Sequence, residues 1–336
     1  MGGDRLGGVN TATARAIGYL TVVAMLPYLS LKTAWLLGSD LGLAQPDLMS
    51  SPAFVTGNLL TAAMELVAAV LTLALVRDWG RRLPVWSLLF PMWVAAGLLA
   101  PVMLAAPLGL AAELITGAGT ASGDPENGLR GWVYAIVYTG FILQGLGLAA
   151  AFAHHVRARW GRTLSERGEY SPAREVQILV TVAVGILTAV VVALRLYWAL
   201  GGQAGLPVAD RDLPQQAMDA ASAVLAFAGL FGLGVLVSGR SRRIWWPLGA
   251  AWIGSGSMLC SGLYQVVILL APGSPFDAAG GGGLALVLVA QVLAGALAAA
   301  TGAFRLVELR TPDRSGREAG PAGRVGPDRV RAEVGP

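Results

Sequence analysis

Apolar residues in this chain come in long runs, not in the alternation of a half-buried strand or the three-to-four spacing of a surface helix. The runs fall at about residues 16–37, 57–77, 84–108, 132–154, 176–200, 217–238, 245–271 and 283–306. Each holds about 20 residues or more, the length that crosses roughly 30 Å of hydrocarbon. The pattern predicts an all-α, polytopic membrane protein with eight transmembrane helices. Pro84, Pro91, Pro101 and Pro107 fall in or at the edge of the third run. A soluble helix rarely accepts that, whereas neighbouring membrane helices help satisfy the freed carbonyls. The first run is longer than the roughly 7–15-residue core of a cleaved signal, so it reads as an uncleaved helix.

The polar connectors divide the chain further. Residues 1–15 form a polar N-terminal segment, 16–155 a first four-helix membrane unit, 156–175 a linker and 176–306 a second four-helix unit. Residues 307–336 are rich in Pro, Gly, Arg and Glu, have almost nothing to bury, and are expected to be disordered. If the connectors alternate between sides, 20 of the 24 Lys and Arg fall on one side and 2, Arg130 and Arg211, on the other. The positive-inside rule then places both termini in the cytoplasm of a multi-pass cell-membrane protein. The remaining two cations, Lys32 and Arg195, lie inside apolar runs.

Composition removes the soluble alternatives. Hydrophobic residues make up 55% and charged residues 13%, with a mean hydropathy of +0.63; an ordinary soluble chain is about 25% charged. The net charge of +4 does not point to nucleic acid, because the basic residues occupy connectors. Cys260 is the sole cysteine, so it makes no intrachain disulfide and holds no zinc by itself. The chain lacks a phosphate-cradling Gly-rich loop with Lys, a His-Glu-x-x-His pair and a nucleophilic Gly-x-Ser-x-Gly turn. Nothing in it calls for a cofactor or a metal.

Two stretches echo one another. Lys32-Thr33-Ala34-Trp35-Leu36-Leu37-Gly38-Ser39 and Arg195-Leu196-Tyr197-Trp198-Ala199-Leu200-Gly201-Gly202 stand 163 residues apart, each with a basic residue three before Trp. Arg81-Arg82 matches Arg242-Arg243 at 161, and Trp93 and Gly97 match Trp252 and Gly256 at 159. A weaker match joins Gln144 and Gln291. This slow drift is what a duplicated unit with small loop deletions produces. An even number of helices per unit predicts two tandem copies in parallel orientation, related by a pseudo-two-fold along the membrane normal. The Arg195–Gly202 stretch resembles a signature in a family of small four-helix membrane proteins of unknown function. The whole chain is similar to uncharacterised integral membrane proteins of actinobacteria. The resemblance implies a membrane location and a four-helix unit, and carries no activity. The first copy departs from the signature, with Lys32 and Thr33-Ala34 in place of Arg and Leu-Tyr.

Lys32 and Arg195 are the leading candidate site residues. Each lies five or six residues from the outer end of its run, roughly 8–9 Å deep. From there a long side chain can snorkel to the surface, pair with an acid, or face a shared vestibule for an anionic ligand. Glu65, in the second run, is the expected partner of Lys32, and Asp219 that of Arg195. Unpaired and facing a cavity, Glu65 would be a proton-relay candidate. Tyr28 and Tyr197, with Trp35 and Trp198, are expected in an outer aromatic belt, where Tyr197 could also bond a headgroup. His154 and His155 point in different directions on a helix and read as interface residues. Gln144, Gln265 and Gln291 read as interhelical hydrogen-bonders, and Gly145, Gly147, Gly254 and Gly256 as close helix contacts. The leading functional reading is a transporter-like or sensor-like binder of a small or lipid-like molecule. A structural or partner-binding membrane subunit and a membrane-embedded enzyme are the alternatives. The bilayer is the one partner the sequence specifies.

Overall fold

The computed structural model describes residues 3–50, 52–116, 128–165, 173–206, 212–239, 241, 243–269 and 282–310. Of the segment expected to be disordered, 307–336, residues 307–310 are instead the last turn of a helix; residues 311–336, most of the Gly-rich 273–284 loop, Arg211 and part of the 156–175 linker lie outside the described residues.

Among the described residues, eight long helices make up the fold: α1 (Gly3–Leu36), α2 (Pro52–Val76), α3 (Val85–Thr116), α4 (Gly131–Ser165), α5 (Arg174–Ala199), α6 (Leu213–Ser238), α7 (Trp245–Leu269) and α8 (Gly282–Arg310). All eight are long and apolar enough to cross a membrane, yet only 22–50% of each most apolar stretch is buried within the protein. The remaining apolar surface has no protein neighbour, so lipid is its natural solvent. The chain is a multi-pass, all-α membrane protein.

Helix ends overrun the apolar runs. α1 begins at Gly3, thirteen residues before the expected start at 16, and α4 continues to Ser165, past His154. Apolarity stops where water begins, but a helix supplies its own backbone hydrogen bonds and continues into water. Arg15, on the polar extension of α1, donates to Asp78 at 3.1 Å in the 3₁₀ turn Asp78–Arg82. Pro91, Pro101 and Pro107 all lie inside α3 without ending it. α7 is interrupted by a π-helical segment, Ser257–Ser261.

α1, α2 and α4 pack on one another through α1–α2 and α1–α4, and the last four helices do so through α5–α6, α6–α7, α5–α8 and α7–α8, whereas α3 packs more on the second half than on α4 and α2. Between the halves, α3 packs against α6 and α7. Where α3 crosses α7, Gly97 faces Gly256, and a side-chain carbon on Gly97 would collide with the Gly256 carbonyl. Nearby, the Trp93 indole donates to Trp252 O at 3.0 Å and to Ser255 Oγ at 3.3 Å. Residues 159 apart in sequence therefore touch, as they do beside a two-fold axis. The rest of the interface is not reciprocal: among the described residues, α2 makes no contact with α7 comparable to that of α3 with α6.

The turns that follow α1 and α5 share one geometry. Trp35 donates its indole N–H to Leu41 O at 2.8 Å, and Trp198 to Ala204 O at 3.1 Å. Gly38 and Gly201 have φ of 89° and 90°, and Gly42 and Gly205 have 78° and 81°. A side chain resists that left-handed region, and glycine does not. Gly42 O accepts from Arg130 N at 2.9 Å just before α4, and Gly205 O accepts from Leu284 N at 3.0 Å in the first turn of α8. Each turn is thus tied to the fourth helix of its own half.

The α3–α7 crossing yields a test. Gly97→Ala should cost ~1–3 kcal/mol, because backbone has to move to admit the methyl group. Gly57→Ala and Gly234→Ala, where a methyl group would meet nothing within 4 Å, should be neutral or gain up to ~1 kcal/mol from helix propensity. Unfolding midpoints in detergent distinguish the two outcomes.

Candidate functional site

α5 carries Arg195 one turn before its end, and that depth would leave a charge in hydrocarbon without local acceptors. Three other helices supply them. Nη1 donates to Asp219 Oδ1 on α6 at 2.6 Å, and Nη2 donates to Gln265 Oε1 on α7 at 2.9 Å and to Gln291 Oε1 on α8 at 3.0 Å. Gln291 is itself oriented, since its Nε2 donates to Ser261 Oγ at 3.1 Å and to Met258 O at 3.3 Å. Both acceptors lie in the π-helical segment, where widened pitch makes backbone carbonyls available. The Arg195 guanidinium also stands over the Trp198 ring at 5.9 Å.

The first half builds a looser cluster at the matching place. Lys32 Nζ donates to Asn58 Oδ1 at 2.6 Å and sits 4.8 Å from the Tyr28 ring centre and 5.5 Å from that of Trp35. Glu65 is buried and accepts from Gln144 Nε2 at 3.3 Å, while Gln144 Oε1 is buried with no hydrogen-bond partner.

The expected Arg195–Asp219 pair therefore forms. The expected direct Lys32–Glu65 pair does not. α2 starts at Pro52, not at 57, which puts Glu65 thirteen residues from its start, roughly 20 Å along the axis. Asn58 lies one helical face above it at the depth of Lys32, and takes the ammonium. Asn58 was detectable in sequence: it stands 161 residues before Asp219, the offset that relates the two Arg-Arg pairs.

Snorkelling is overturned for both cations, which are only 6% (Lys32) and 2% (Arg195) exposed. The side-chain hydrogen bonds of each stay within its own half, Lys32 to Asn58 and Arg195 to Asp219, Gln265 and Gln291. The outer-belt reading fails for Trp35 and Trp198, at 4% and 0% exposure; both point inward, to a turn carbonyl. Tyr28 is likewise buried, edge-on to Phe141 with ring centres 5.1 Å apart. Tyr197 is exposed, but its hydroxyl accepts from Ala204 N at 3.4 Å and staples the turn. The glutamines and close-contact glycines behave as anticipated. The closeness of Gly145 to Met103, Gly147 to Thr21 and Gly254 to Gly229 leaves no room for a side chain.

A cleft lies at the opposite end of the first half. It holds about 320 Å³ and is lined by α1, α2, the Asp78–Arg82 turn and α4, with His154, His155, Arg15, Arg81 and Arg159 on its walls. His155 is buried, with Nδ1 3.4 Å from Leu75 O. Sequence reasoning treated these residues singly, since three separate segments bring them together. Among the described residues, no three His, Cys, Asp or Glu side chains assemble in a way that could hold a metal.

Compared with family models, with curated proteins and with solved structures, the chain matches none.

The two clusters predict unequal responses to truncation. Asp219→Ala strands a buried guanidinium charge and should cost ~3–5 kcal/mol. Asn58→Ala removes one bond to a charged group and should cost ~1.5–3 kcal/mol. Thermal unfolding of the detergent-purified variants checks the order.

Proposed function

We propose that the eight helices are two tandem four-helix units in parallel orientation, and that the protein is a sensor-like binder of a small or lipid-like molecule. In this reading the first unit is the binding half and the second is its scaffold. The duplication is supported by the paired Trp–carbonyl bonds and left-handed glycines of the two turns, by Asn58 and Asp219 at equivalent places, and by the meeting of Gly97 with Gly256. The charge distribution of the connectors supports cytoplasmic termini.

The single observation that carries the functional reading is the inequality of two equivalent polar clusters. Arg195 is tied by side-chain hydrogen bonds to three helices, whereas in the first unit Lys32 is tied to one, through Asn58. α2 adds a polar seam: Asn58, Glu65 and Thr72 recur every seven residues and are all buried. Passage between the halves has no such support, because α3 is packed against α6 and α7 there.

Hydrogen exchange of the full chain in lipid nanodiscs tests this division. Amides near Lys32, Glu65 and Gln144 should exchange faster than those near Arg195 and Asp219. Adding a total-lipid extract as probe should slow exchange in α1, α2 and α4. Protection confined to α5–α8, or no change anywhere, would overturn the reading.

A further inference from the structure

We infer that the cleft between α1, α2 and α4 binds a phosphate-bearing anion, with Arg81 and Arg159 as its principal contacts. The inference rests on the first unit being the binding half and adds a site and a ligand class to it.

Charge comes first. Arg15 and Asp78 neutralise each other at the rim at 3.1 Å. Arg81 and Arg159 line the same cleft and have no carboxylate partner among the described residues. The cleft therefore holds two guanidinium groups in excess. Guanidinium is the side-chain group whose fork of N–H donors matches phosphate oxygens, and two of them converging on one volume suit a dianion or a diester better than a carboxylate.

Space comes second. Arginines that merely mark the water-facing ends of membrane helices need no cavity beneath them. Here a volume of about 320 Å³ lies below the arginines, walled by Ala14, Leu75 and Val76. That is the low end of ligand-sized cavities, roughly 300–1,000 Å³, enough for a phosphate and a glycerol-sized group but not for an acyl chain. Basic pockets between membrane helices on the positively charged side are suited to anionic headgroups. His155 Nδ1 lies 3.4 Å from Leu75 O in the cleft wall. A lipid headgroup and a soluble organic phosphate share this chemistry.

The full chain in nanodiscs distinguishes the sources. One arm compares phosphatidylglycerol with phosphatidylcholine discs by lipid retention in native mass spectrometry. The other adds glycerol 3-phosphate to protein in phosphatidylcholine discs and follows its binding by calorimetry. Retention of phosphatidylglycerol assigns the lipid, and binding of glycerol 3-phosphate the soluble compound. In either arm the Arg81→Gln/Arg159→Gln variant should bind at least tenfold more weakly. Ala158→Trp, which keeps every charge but fills the cleft, should do the same. Arg82→Gln/Arg243→Gln removes equal charge outside the cleft and should bind as the parent does. Equal loss in that control would mean diffuse surface attraction and overturn the site, as would binding of neither probe. The two ideas fail separately: absent phosphate binding with fast exchange in the first unit sinks only this inference, whereas fast exchange confined to α5–α8 sinks the division of labour.

Discussion

A guanidinium charge buried in hydrocarbon has no water to turn to, and the second half of this protein is arranged around that fact. Both Nη groups of Arg195 are engaged only when α6, α7 and α8 all deliver acceptors, so the four helices form a cooperative set. The cost of burying the ion is offset only if the geometry is complete. That requirement extends outward. Gln291 must be turned toward Arg195, its amide N–H groups need carbonyl and hydroxyl acceptors, and the π-helical Ser257–Ser261 segment supplies both. A helical irregularity and a distant glutamine thus belong to the same ion.

The first half keeps the same frame and relaxes its centre. The turn glycines and indole bonds recur, but the cation is Lys32, its acceptor is the neutral Asn58, and the acid on α2 is Glu65, seven residues beyond Asn58. Ammonium is a compact charge that two aromatic faces and one amide can hold. The result ties fewer helices together than the arginine cluster does. At its opposite end Arg81 and Arg159 line a cleft, with no carboxylate partner among the described residues.

Much of this was legible in the sequence because the bilayer simplifies the code. Run length reports a crossing directly, and all eight runs became helices. The ends were less legible, since a run marks where lipid stops and not where hydrogen bonding stops. That error carried through to the site: taking α2 to start at 57 raised Glu65 to the level of Lys32 and hid Asn58. Depth along one helix also says nothing about direction around it, which is why Trp35 and Trp198 read as belt residues although they turn inward. The cleft was illegible for a different reason. It is assembled by the Asp78–Arg82 turn folding back between helices whose sequences lie far apart.

The meeting of Gly97 with Gly256 has a consequence beyond packing. Under the proposed duplication, equivalent residues of two copies touch here, and this one contact is its own complement. A lone four-helix unit would carry the same contact and would pair with a second unit through it, as in an isologous dimer. On that proposal the chain supplies the mate in cis at a fixed effective concentration, so pairing does not depend on how much protein the membrane holds. The two units are then free to differ, one with an arginine tied to three helices and the other with an open cleft.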